Sequence, residues 1–146
     1  MKTNKNYKVI YKDFQIHNVP LERIEYDIRE REDTKIFLDD ANEKRWVIKP
    51  VVLLALKMTA SDYAPPTRGT FPEECYVKSD MGIMLFRRHI LELENSEWIQ
   101  ALKANWNEGD SEWEVVNKAR HFVLPLYDNH IEFIAWDIIL EEADNI

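Results

Sequence analysis

The C-terminal end of the chain has the pattern of a β-hairpin. Residues 121–127 and 130–139 are mostly apolar, β-branched or aromatic, and they flank Asp128 and Asn129, both of which tolerate the positive φ that a two-residue hairpin turn requires. Pairing outward from this turn predicts one packed face, because a slip of one residue would move every side chain to the other face. The six side chains of that face are Phe122, Leu124, Leu126, Ile131, Phe133 and Ala135.

The opposite face of this hairpin holds the best candidates for catalysis. Imidazole beside carboxylate can act as general acid and base, or begin a metal site. The predicted pairing, however, puts His121 and His130 roughly 20 Å apart, at about 3.3 Å per residue. His130 and Glu132 then lack a third ligand, so the sequence predicts no metal site. A hydrolase that uses this His/Glu face is the alternative function.

Upstream segments have strand character, with one long loop among them. Pro50 marks a bulge, bend or edge position in the most apolar strand, because proline cannot donate to a ladder. Residues 59–74 contain Pro65, Pro66 and Pro72, and they predict the long loop. The predicted strands are 7–14, 19–29, 34–38, 45–58, 75–78 and 83–93.

Two short helices are predicted between these strands and the final hairpin. Ser96 can cap a helix in which Trp98, Leu102 and Trp106 recur at helical spacing, a stripe typical of a core-facing surface. Ser111 and Glu114 have the spacing of a capping box, which predicts the start of a second helix.

The order of these elements predicts the fold class. Strands, a helical interruption and a final hairpin indicate an α+β fold with a mainly antiparallel β-sheet, in which one or two short helices are inserted before the C-terminal β-hairpin. A length of 146 residues suits a single domain, 1–146, large enough for a core without disulfides or a structural metal.

The sequence carries no catalytic or cofactor-binding signature. Glu73 and Glu74 precede the single cysteine, Cys75, and their charges would raise its pKa rather than activate it. The chain has three glycines and lacks a phosphate loop, a dinucleotide fingerprint and a nucleophile elbow. We therefore expect no cofactor and no catalytic residues, and an enzyme is disfavoured without being excluded.

A short basic cluster, Arg87, Arg88 and His89, interrupts the apolar segment 83–93. On a strand, Arg87 and His89 would face away from Arg88, so the cluster does not predict one concentrated patch. A phosphate site is one interpretation of it. Pairing of both arginines with the abundant carboxylates is the favoured reading.

Negative charge is concentrated in the last third of the chain. From Glu92 onward there are thirteen Asp and Glu residues against three Lys and Arg. The net charge of −8 argues against direct nucleic-acid binding. The first ten residues lack the apolar core of a signal peptide, and the longest apolar run, 51–56, is too short to cross a membrane. We therefore expect a cytoplasmic protein.

Tryptophans lie among these carboxylates, which suggests a binding surface for a basic protein. Trp113, flanked by Glu112 and Glu114, is the tryptophan most readily placed at the surface. The hypothesis is a small acidic inhibitor or immunity-type protein that neutralises a basic partner such as a nuclease toxin. A homo-oligomer is compatible with the sequence but not implied by it. The predicted partner-binding residues are Glu108, Asp110, Glu112, Trp113 and Glu114, extended by His121, Glu132 and Trp136.

Overall fold

The structure, a computed structural model, describes residues 6–63 and 71–143. Single turns of 3-10 helix occur at Arg31–Asp33, Ser61–Tyr63 and Glu73–Cys75. Within the described ranges the strands and α-helices are, in chain order, β1 (Asn6–Val9), β2 (Arg23–Glu25), β3 (Lys35–Asp39), β4 (Arg45–Ala60), β5 (Tyr76–Lys78), β6 (Met84–Phe86), β7 (Leu91–Glu94), α1 (Glu97–Lys103), α2 (Ser111–Asn117), β8 (Arg120–Pro125) and β9 (Asn129–Glu142).

One antiparallel sheet organises the described chain. Its strand order is β1-β7-β8-β9-β4-β3-β2, and β5 pairs with β6 in a separate two-stranded sheet. The longest ladder joins β4 to β9, while β8 and β9 form the final hairpin. Helices α1 and α2 precede that hairpin. The predicted α+β fold, with a mainly antiparallel sheet and short helices inserted before a C-terminal hairpin, is confirmed.

The final hairpin turns earlier than predicted. Pro125 pairs with His130, whereas the predicted partner of His130 was Tyr127. The amide of Leu126 donates to the carbonyl oxygen of Asn129 at 3.0 Å, so the two residues between the closing pair are Tyr127 and Asp128 rather than Asp128 and Asn129. The resulting register differs from the predicted one by two positions. Because side chains alternate with a period of two, every side chain keeps its predicted face.

The predicted inner face of the hairpin forms the main core. Phe122 and Phe133 have no accessible surface, and their rings stack with centroids 5.2 Å apart. A buried side chain of this size stabilises the fold by about 1.5–3 kcal/mol. The main core also contains apolar side chains from β3, β4 and the segment before β2, among them Phe14, Ile16, Ile36, Leu38 and Ile48.

Pro50 lies where β4 has a neighbour on only one side. Pairing with β3 ends at Ile48, while pairing with β9 continues past Pro50. Further along, Val52 adopts a φ of 53°, and the register with β9 shifts between Leu53 and Ala55. The predicted edge position is confirmed, and a bulge follows it.

Several predicted strands are shorter in the structure. The strand predicted at 7–14 ends at Val9, because Tyr11 adopts a φ of 54° and its carbonyl accepts a turn hydrogen bond from the Phe14 amide at 2.9 Å. The segment 19–29 contributes only β2. The segment 83–93 is divided into β6 and β7.

The predicted loop 59–74 begins later than expected. β4 continues to Ala60, which pairs with Asn129. Residues 64–70 lie outside the described residues. Phe71 and Cys75 are buried with Leu91 in a second apolar cluster.

Both predicted helices are present, with one difference at a cap. The Ser96 hydroxyl oxygen accepts a hydrogen bond from the Ile99 amide at 3.1 Å and so caps α1 as predicted. The N-cap of α2 is Asp110 rather than Ser111, and the Asp110 side chain makes no capping bond. The predicted capping box of Ser111 and Glu114 is therefore wrong, although the helix itself is confirmed.

Candidate functional site

The helical pair, defined here as residues 96–117, covers part of the hairpin face opposite to the main core. The Trp136 indole nitrogen donates to the Val115 carbonyl at 2.9 Å, and the Trp98 ring meets the His121 ring edge-on at 5.4 Å. No residue of α1 is buried, and Val116 alone is buried in α2. The pair therefore presents most of its surface to solvent.

The carboxylates on the strands beneath the helical pair are neutralised. Every carboxylate of β7 and β9 lies within ion-pair distance of a base, and the pairs are Glu92 with Arg120, Glu94 with Lys8, Glu132 with Lys57, Asp137 with Arg120, Glu141 with Lys49 and Glu142 with Lys44.

The carboxylates of the helical pair differ from those of the strands. In the described part of the chain, none of its five has a basic side chain within ion-pair distance, and all five residues are exposed. They are Glu97, Glu108, Asp110, Glu112 and Glu114. These five carboxylates exceed the single base of the helical pair, Lys103, by four charges.

Lys103 within the helical pair and Lys118 directly after it lie against tryptophan rings. The Lys103 ammonium is 4.7 Å from the centroid of the Trp113 ring and donates to Asn117 Oδ1 at 3.0 Å. The Lys118 ammonium is 5.3 Å from the Trp136 ring. Contacts of this kind contribute about 0.5–1 kcal/mol at exposed positions. Both lysines support tryptophans and leave the carboxylates unpaired.

The tryptophans are distributed differently from the prediction. α1 ends at Lys103, so Trp106 lies beyond the helical stripe, and 40 % of its surface is exposed. Trp98 is partly buried rather than in the core, and Trp113 is also only partly buried. The core assignment of Trp98 and Trp106 is therefore wrong, and Trp106 is the surface tryptophan that the sequence missed. In the sequence, the flanking Asn105 and Asn107 were the available signal that Trp106 lies outside the helix.

The predicted extension of the binding surface is largely interior. His121 is 4 % exposed and Glu132 is 6 % exposed, because the neighbouring strands and α1 enclose them. Trp136 is partly buried against α2. The exposed part of the candidate set is therefore Glu108, Asp110, Glu112 and Glu114, with Trp113 half-buried beside them.

Glu132 is the centre of a buried polar network. Its Oε1 accepts from His121 Nε2 at 2.8 Å. Its Oε2 lies 3.3 Å from Lys57 Nζ and 3.7 Å from His130 Nε2. The Lys57 ammonium also lies 4.9 Å from the centroid of the Trp98 ring. The network thus joins β4, β8 and β9 to the first turn of α1.

The two histidines share one carboxylate, contrary to the predicted separation. In the observed register His121 pairs with Ile134, four residues from His130 along β9, or roughly 13 Å at about 3.3 Å per residue. Glu132 lies between them on the same face and contacts both rings. The predicted separation of roughly 20 Å came from the wrong register.

The network perturbs two titrating groups in opposite directions. Burial acts to raise the pKa of Glu132, but the hydrogen bond from His121 and the charges of His130 and Lys57 outweigh burial and lower the pKa to about 2. Burial first, and the Glu132 charge second, raise the pKa of Tyr7 to about 12. Glu132 is therefore ionised, and Tyr7 protonated, across the physiological range.

Ser96, His121 and Glu132 form a hydrogen-bonded chain of the residue types that serine hydrolases use. The Ser96 hydroxyl lies 2.7 Å from His121 Nδ1, and its oxygen also accepts from Ile99. With the proton of His121 on Nε2, all three bonds are satisfied at once. Ser96 is only 4 % exposed, whereas a nucleophile must reach its substrate. This geometry favours an anchor that fastens α1 to the sheet.

The other chemical candidates show no activated group. Burial first, and the charge of Glu74 second, raise the pKa of Cys75 to about 11. Among the described residues, no group of three or more His, Cys, Asp or Glu side chains is arranged to hold a metal ion. Neither described α-helix has the length or apolar character needed to cross a bilayer.

Comparison with protein-family models, with curated proteins and with solved structures finds no match to this chain.

Proposed function

We propose that this chain is a protein-binding module that captures a basic protein through the helical pair. The observation that carries the proposal is the group of five exposed carboxylates that have no cationic partner in the described part of the chain. A surface with charge of one sign accelerates encounter with a partner of opposite charge and rejects other partners. The proposed role is that of an inhibitor or immunity-type protein that neutralises a basic partner such as a nuclease toxin.

Trp106 is the apolar anchor of this surface, because charged side chains alone provide no apolar contact. Trp106 is 40 % exposed, and it lies in the connection between α1 and α2 that also contains Glu108 and Asp110. Tryptophan is enriched among the residues that contribute most to binding energy. A large apolar side chain inside an acidic rim suits a basic protein surface that carries an apolar pocket.

The buried network supports this role by holding the helical pair in place. Ser96 caps α1 and contacts His121, which donates to Glu132 inside the sheet. A surface held rigid before binding loses less conformational entropy when a partner docks. The single, buried Cys75 is compatible with a reducing compartment, and we propose that binding takes place in the cytoplasm.

Charge neutralisation tests the proposal. The test variant, E108Q/D110N/E112Q/E114Q, removes four charges from the helical pair and keeps the size of each side chain. The control, D13N/E30Q/E32Q/D33N, removes four exposed charges from other surfaces. Wild type and both variants are immobilised and used to capture proteins from a lysate of the organism that encodes the chain.

The expected result is a basic protein that wild type and the control retain at low ionic strength, that elutes as salt is raised, and that the test variant does not retain. Salt dependence is expected because mobile ions screen exposed charges. If the recovered partner is a nuclease, one equivalent of wild type should inhibit it. Equal retention by wild type and by the test variant would contradict the proposal.

A further inference from the structure

A groove of about 580 Å³ lies on another part of the molecule, between β6 and the segment that includes Gln15 and Asn18. Arg87 and Arg88 both line it, although strand alternation predicted that they would point apart. The reason is that β6 ends at Phe86, so the two arginines follow the strand rather than alternate within it. Grooves of this volume are typical of small-molecule sites.

Within the described ranges, neither arginine has an acidic partner. The chain contains 27 Asp and Glu residues, yet within residues 6–63 and 71–143 no carboxylate lies within ion-pair distance of Arg87 or Arg88. The predicted pairing of this cluster with carboxylates is therefore wrong. Two guanidinium groups in one groove create a local positive site on an acidic protein, and such a site attracts anions.

Arg88 is held in a position suited to binding. Its guanidinium lies 5.2 Å from the Phe86 ring and 5.6 Å from the Tyr127 ring, and its Nη1 donates to Asn18 Oδ1 at 3.2 Å. Its buried Nε has no hydrogen-bond partner. A buried donor without an acceptor is costly, so this guanidinium has unused capacity to donate.

The rest of the groove offers apolar and aromatic surface. Met84 is 62 % exposed and Tyr127 is 66 % exposed, and Leu85 lies between Met84 and Phe86 on β6. An inorganic ion would leave these side chains in water. A ligand with an apolar body would cover them.

We propose that this groove binds a small organic anion, with its phosphate or carboxylate group on Arg87 and Arg88 and its apolar body against Met84, Leu85 and Tyr127. Guanidinium groups bind both oxyanions through paired N–H donors. This ligand site is separate from the acidic helical pair and does not depend on its function.

Titrations with defined probes test the proposal. Phenyl phosphate, benzoate, inorganic phosphate and benzyl alcohol are added separately to the ¹⁵N-labelled full chain at low ionic strength, and amide shifts are followed by NMR. R87Q and R88Q remove one guanidinium each. R29Q, which removes an exposed arginine outside the groove, is the control with the same charge change. Because Arg87 is exposed, R87Q keeps the test valid even if R88Q does not fold.

Phenyl phosphate or benzoate should saturate shifts at Met84, Arg87, Arg88 and Tyr127, and the tighter of the two identifies the oxyanion. R87Q should weaken this binding by about tenfold or more, whereas R29Q should leave it unchanged. Inorganic phosphate and benzyl alcohol should each bind more weakly, since each lacks one half of the recognised chemistry. Binding that R29Q and R87Q reduce equally, or no saturation by either organic anion at millimolar concentration, would overturn the proposal.

Discussion

Glu132 accepts a 2.8 Å hydrogen bond from His121, and neither side chain is more than a tenth exposed. The same imidazole contacts Ser96 at the start of α1. A carboxylate inside the sheet is thereby linked to the position of the exposed helical pair. Because breaking a buried ionic contact leaves a polar group without its partner, this link is both stabilising and vulnerable to substitution.

The variant E132Q should lower the free energy of unfolding by about 3 kcal/mol, because it leaves Lys57, His121 and His130 without their shared carboxylate. The matched control is E141Q, which removes the exposed partner of Lys49 and should cost no more than about 1 kcal/mol. Urea denaturation of both variants measures the difference. Equal losses would show that the network contributes nothing beyond a surface ion pair.

Stability should fall at acid pH in a window set by Glu132. Its pKa is lowered in the folded protein from an ordinary value of 4.5 to about 2, so the folded state binds this proton less readily than the unfolded state. The contribution is complete above pH 4.5 and is lost as the pH falls toward 2. Unfolding free energies measured across that window should decline more steeply for wild type than for E132Q. Parallel curves would contradict this assignment.

The variant S96A should lower stability by about 1–2 kcal/mol, because it removes the cap of α1 and the hydroxyl that contacts His121. Amide hydrogen exchange should accelerate most at Ile99, which donates to this hydroxyl. S111A is the control, since the Ser111 hydroxyl contacts only the exposed Glu112, and it should change stability by less than about 0.5 kcal/mol. If the exchange rate of the Ile99 amide is unchanged in S96A, Ser96 does not anchor α1 to the sheet.

Trp106 should account for most of the tryptophan emission that acrylamide quenches easily. W106F should therefore reduce the accessible fraction while changing stability by less than about 1 kcal/mol. W98F should reduce the accessible fraction only slightly and should destabilise the fold more than W106F does, because the Trp98 ring contacts Lys57 and His121. If the two substitutions had the reverse effects, the exposed anchor would be wrongly identified.

The two faces of the final hairpin were predictable, whereas its cross-strand neighbours were not. Apolar alternation places Phe122 and Phe133 inward, and an error of two residues in register leaves this face unchanged. The same error misplaces His121 relative to His130. The contact of both rings with Glu132 follows from the observed register, in which His121 pairs with Ile134, and residue types alone do not specify that register.

Neither the exposure of Trp106 nor the order of the strands in the sheet can be predicted from local sequence patterns. Helical spacing assigned Trp106 to the core, but the helix ends at Lys103, and periodicity has no meaning beyond the last turn. The neighbours β1 with β7, and β4 with β9, are distant in the chain, and they pack in the second apolar cluster and in the main core respectively. No short sequence window encodes such pairings.

The most direct test of the account is the salt dependence of binding between the purified chain and the basic protein that it captures. The affinity of wild type should fall steadily as salt increases, because exposed charge pairs are screened. E108Q/D110N/E112Q/E114Q should bind at least about tenfold more weakly at low salt and show a shallower dependence. Identical affinities and salt slopes for wild type and this variant would contradict the claim that the helical pair captures its partner electrostatically.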